Sequence, residues 1–150
     1  MTTIKPVDFH HAGKRHFTDA ELLIKLKRDA SAGQLYGFAA ECGIKTLLVW
    51  NGYPTDPVSG ELVEQGKKKR FRAHIHEFVK NINTIRTFLD GRGAAKYLAM
   101  IPNVGNFSDW KTDHRYYRDS ALPPSLNKWR EASREIMRML DEAMLDRGTT

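Results

Sequence analysis

From Leu35 to Val49 the chain is apolar almost all round a helix: Leu35, Tyr36, Phe38, Ala39, Ala40, Cys42, Ile44, Leu47, Leu48 and Val49. An amphipathic surface helix shows one apolar stripe, whereas a helix apolar on most of its circumference is buried by several neighbours. This segment therefore needs other helices around it. It is expected to run from about Gln34 to Trp50, with Asn51, Gly52 and Pro54 as stop signals. Gly33, Gly37 and Ala40 put small residues three or four apart, which allows neighbours to approach closely.

The flanking segments supply candidate neighbours. Thr18 and Glu21 have capping-box spacing, so a first helix is expected near Thr18, with Phe17, Ala20, Leu23, Ile24 and Leu26 as its apolar face and a break near Gly33. A third helix is expected over about Phe71 to Leu89, carried by Ile75, Phe78, Val79, Ile82, Ile85 and Leu89 and ended by Gly91. Ala94 to Met100 reads as a short extra helix. The last helix should run from near Pro124 to Arg147, with Leu126, Trp129, Ser133, Ile136, Met137, Leu140 and Met144 as its stripe. Residues 51–69 and 102–124 read as long connections, the first with too little alternation for a definite hairpin. The expected fold is all-α: an antiparallel four-helix bundle in one domain over residues 1–150, with a short extra helix and long connections.

A chain of 150 residues is long enough for one self-sufficient core. No apolar run approaches a membrane span, and the first residues lack a signal-peptide core, so a cytoplasmic location is the default. Cys42 is the only cysteine, which excludes a disulfide framework and a cysteine zinc site; in its apolar helix the thiol is expected to be inert. No metal site or cofactor is expected.

The net charge of +6 is concentrated. Lys67, Lys68, Lys69, Arg70 and Arg72 supply five positive charges, with no acid between Glu64 and Glu77. A local basic run points to an anionic partner more directly than a generally basic surface does, although it also fits a solvated loop. His74 and His76 follow it. Histidine can move protons and arginine can stabilise a phosphate under attack, so His76 with Arg70 or Arg72 forms a candidate catalytic set for metal-free RNA cleavage. Arg72 and His76, four apart, would share a helical face; Arg70 and His76 would lie about 120° apart, and His74 and His76 would not share a face. Glu41 and Lys45, also four apart, are either a helix-surface pair or a polar centre within the bundle. Trp110, Arg115, Tyr116 and Tyr117 precede the last helix, where aromatics beside arginine either stack a base and hold a phosphate or pack the loop.

Three segments carry a family resemblance: Leu35 to Leu48 with Glu41 and Lys45, His76-Glu77-Phe78, and Arg115-Tyr116 in an aromatic connection. In their order and rough spacing the chain resembles the HEPN family, small helical nucleotide-binding or RNA-cleaving domains, over about residues 15–147. The resemblance implies a bundle that forms a homodimer. It also implies either a metal-independent ribonuclease, often a toxin paired with a nucleotidyltransferase-like partner or part of a phage-defence system, or a non-catalytic module that binds nucleotides or holds an assembly together. The nuclease branch places an arginine and then a histidine near the last helix. Here only Arg70 and His76 have that spacing, and they lie ahead of the third helix, which favours the binding branch. Lys67, Lys68, Lys69, Arg115 and Tyr116 are then the expected binding residues, and a structural dimerisation module is the remaining alternative.

Overall fold

The computed structural model describes residues 4–63 and 71–148, and these are all-α apart from one isolated antiparallel bridge, Thr55 to Leu62. Helix α1 spans Phe9–Lys25, α2 Asp29–Trp50, α3 Ile75–Lys80, α4 Ile82–Asp90 and α5 Leu126–Asp146. Four short 3-10 turns, Ala95–Met100, Val104–Asp109, Thr112–Tyr116 and Asp119–Ala121, make up most of the connection from α4 to α5.

Helix α1 starts nine residues before the expected Thr18. Asp8 is its cap, its carboxylate accepting the His11 N–H at 2.9 Å. Thr18 sits exposed in mid-helix, and Glu21 is engaged elsewhere: it accepts from Tyr36 Oη at 2.8 Å and from Arg130 Nε and Nη2 at 2.9 and 2.7 Å. That network joins α1, α2 and α5, and it pushes the Tyr36 phenol upward through burial and the Glu21 bond while holding the Glu21 carboxyl low through Arg130. Helix α2 begins five residues before Gln34, so Gly33 lies inside it rather than at a break.

Helices α1 and α2 are joined by three residues and run antiparallel, with Gly13 of α1 against Cys42 of α2. Helix α5 runs parallel to α2. Gly33 lies under the Trp129 ring, where an added Cβ would be 2.9 Å from Cζ3, and Gly43 lies under Ile136. Helix α5 buries Trp129, Ala132, Ser133, Ile136, Met139, Leu140 and Ala143. Its buried face is thus rotated from the expected stripe, with Met137 and Met144 at its half-buried margin. Cys42 is buried, and desolvation pushes its thiol up to about 12.

The expected long third helix is two short ones. Asn81 interrupts it, its side-chain amide donating to the Glu77 carbonyl at 3.0 Å; such a bond competes with the helical ladder. Ile75, Phe78, Ile85 and Leu89 still face the core. The short helix expected over Ala94 to Met100 is a 3-10 turn. Polar bonds fasten the α4–α5 connection to α5: Tyr97 to Asp146 at 2.6 Å, Asn103 to Glu135 at 2.5 Å, and Asp109 to the Trp129 Nε1 at 2.9 Å and to Ser125. Trp110 is fully buried on Gly37, and its Nε1 donates to the Gly33 carbonyl at 3.0 Å. No helix among the described residues is long and apolar enough to cross a membrane.

Candidate nucleotide-binding face

Helix α2 gives most of its surface to α1 and α5. One stripe is left: Gln34, Phe38, Glu41 and Lys45, spaced four, three and four apart, so they line one face. That stripe meets the start of α3 and the 3-10 turns before α5.

Glu41 is the centre of the stripe. Its Oε2 accepts from Lys45 Nζ at 3.0 Å, and its Oε1 bonds His74 Nδ1 at 2.8 Å. The Glu41 and Lys45 side chains are 12% and 9% exposed, whereas His74 remains 45% exposed. Lys45 also lies 5.4 Å from the centroid of the Phe9 ring.

His74 lies in extended backbone just ahead of α3, where its N–H donates to Glu77 at 3.3 Å. Helical spacing therefore does not govern this pair. The His74 and His76 rings come together, with centroids 6.4 Å apart and planes 17° from parallel. Arg72 precedes the helix as well and is exposed, so it does not share a helical face with His76. Trp110 backs both rings, at 6.4 Å from His74 and 6.1 Å from His76, and Phe38 stands 6.4 Å from His74 and 5.5 Å from Trp110.

Beyond Phe38 the face opens into a groove of about 510 Å³, lined by Gln34, Leu35, Phe38, His114, Arg115 and Tyr117 among others. Arg115 lies over the Tyr116 ring at 4.7 Å, and Tyr116 itself is exposed. His114 is buried, stacked on Trp129 at 5.9 Å and tilted against Tyr117 at 5.1 Å.

The structure thus brings together Glu41, Lys45 and His76, and places Arg115 on the adjoining groove. Lys67, Lys68, Lys69 and Arg70 lie outside the described residues. Reading by residue type missed Gln34 and His114 altogether. For His74 it missed the Glu41 bond, because the partners are 33 residues apart. The usable signal was the spacing of Gln34, Phe38, Glu41 and Lys45.

The histidines differ in charge preference. The Glu41 hydrogen bond raises His74, whereas burial lowers His76, His114, His16 and His10. Linkage gives each a sign. The contribution of His74 is complete below its ordinary 6.5 and is lost as pH rises through its raised value. The four lowered histidines act oppositely, and stability falls as pH drops below 6.5 and they are forced to charge. The four lowered rings share one sign against the single His74, and thermal melts are expected to show a lower Tm at pH 5 than at pH 7.5. A Tm unchanged or higher at pH 5 would mean that the His74–Glu41 pair offsets the burial of the other rings.

Among the described residues no three His, Cys, Asp or Glu side chains gather as a metal-binding group. No family model, curated protein or solved structure matches this chain.

Proposed function

We propose that the protein binds RNA or a nucleotide on the face formed by α2, the start of α3 and the turn at Thr112–Tyr116. The observation that carries this reading is the continuity of two features. A groove with aromatic and arginine walls adjoins, through Phe38, a paired-histidine cluster fixed by a partly buried carboxylate. Aromatic surfaces accept any base by stacking, and Arg115 and a charged His74 suit phosphate. The protein is then a HEPN-like module, a four-helix bundle in which α3 and α4 together take the third place. It works as a homodimer in a toxin–antitoxin or defence pair with a nucleotidyltransferase-like protein.

A second reading is a metal-independent ribonuclease. It is favoured by the opposite leanings of His74 and His76, since neighbouring groups whose pKa values are pushed apart suit an acid and a base. In this reading His76 keeps its catalytic role with His74 beside it, and Arg70 lies outside the described residues.

One experiment addresses both. Single-stranded RNA is titrated with wild type and Arg115→Ala in EDTA at several salt concentrations, and the RNA is sized afterwards. Wild-type affinity should fall log-linearly with salt, and the variant's slope should be shallower by about 0.7, the loss of one phosphate contact. A flat wild-type response removes both readings. Shortened RNA with 2′,3′-cyclic phosphate ends promotes the second.

A further inference from the structure

We propose that the groove beside the Thr112–Tyr116 turn takes a nucleobase carrying an exocyclic amino group, with Gln34 and His114 reading its edge. This rests on the nucleotide-binding reading and names what the groove selects.

Two of its lining residues are buried polar groups with unused capacity. Gln34 is 8% exposed and His114 is 7% exposed. The Gln34 Nε2 donates to the Lys111 carbonyl at 2.8 Å. A carbonyl accepts only, so this bond fixes which end of the amide is nitrogen. Among the described residues the Oε1 has no hydrogen-bond partner, and His114 Nδ1 has none either. Buried polar atoms are seldom left unpaired, and each one costs stability. Both residues line one groove, although neither orphaned atom is itself open to solvent, so a ligand that satisfies both must draw these side chains toward it.

The chemistry required is an N–H donor for Gln34 Oε1 beside a group that pairs with His114 Nδ1. Burial disfavours the charged imidazole, and in the tautomer with its proton on Nδ1 that nitrogen donates to a ring acceptor. Adenine has this arrangement, an amine next to a ring nitrogen that accepts. In the pose that fits adenine, hypoxanthine sets its oxo acceptor against Gln34 Oε1 and its ring N–H donor against the His114 proton. Phe38 and Tyr117 offer faces for stacking, and Arg115 lies on the same groove for the phosphate.

AMP and IMP, which differ at that group, are the probes. Each is titrated into the full chain, following tryptophan fluorescence, since Trp129 stacks on His114, with calorimetry as a second readout. AMP should bind at least about tenfold more tightly than IMP, the effect of one unmet buried hydrogen bond. Gln34→Leu should bring the two affinities together. The wild-type ratio alone decides the matter if that variant does not fold. Equal binding of AMP and IMP overturns amino-group reading and leaves nucleotide binding standing. Binding of RNA but of neither nucleotide overturns the groove as the base site. Binding of neither RNA nor nucleotide overturns the underlying reading too.

Discussion

Gly37→Ala is expected to cost about 1–3 kcal/mol of folding stability, although the same change in an ordinary helix interior gains about 1 kcal/mol. The reversal comes from Trp110. A Cβ at Gly37 would overlap the indole at Cε2, Nε1 and Cζ2. The ring has little room to yield, being fully buried, hydrogen-bonded to the Gly33 carbonyl and edge-on to Phe38. Trp110→Ala alone should cost about 3–5 kcal/mol, as a large ring leaves a cavity. In that background the added methyl of Gly37→Ala finds space, and the substitution should turn stabilising. Urea denaturation of the four proteins gives the cycle. Additive costs would show that Gly37 and Trp110 do not oppose each other, and the close approach of the α4–α5 connection to α2 would lose its basis. The consequence reaches the binding face, because Trp110 also backs His74 and His76.

The contrast between what could be read in advance and what could not follows from the range of the forces. The periods in α2 and α5 come from burial averaged over many residues, so those helices were readable even where the buried face of α5 was rotated slightly. The start of α1 was not readable. Thr18 and Glu21 imitate a local cap, whereas Glu21 is taken by Tyr36 and Arg130, and Arg130 is 109 residues away. The break at Asn81 depends on one side chain competing for one carbonyl, within a segment whose apolar period continues through it. The face divides in the same way. Glu41 and Lys45 share a helix and could be paired by spacing. His74 joins them from another element, and the open valences of Gln34 and His114 exist only once the chain has folded around them.

Glu41→Ala should be the most damaging change on the face itself, at about 3–5 kcal/mol, because it leaves the Lys45 ammonium buried without its counter-charge. The comparison that isolates this cause is Glu41→Ala/Lys45→Met. Removing both charges should restore most of the loss, since an apolar replacement of a buried pair is close to neutral. Glu41→Gln separates the second role of the carboxylate. It can keep a hydrogen bond to Lys45 but no longer holds a negative charge against His74, so NMR titration should show the His74 pKa falling toward its ordinary 6.5. The His74 contribution is present at low pH and lost as pH rises through the raised pKa. The cost of Glu41→Gln should therefore be larger at pH 6 than at pH 9. A single-variant cost under about 1 kcal/mol, flat with pH, would place Glu41 and Lys45 among ordinary surface pairs. A large cost that the double variant reverses would instead make Glu41 the residue that both holds the lysine and decides whether His74 meets a phosphate as a cation.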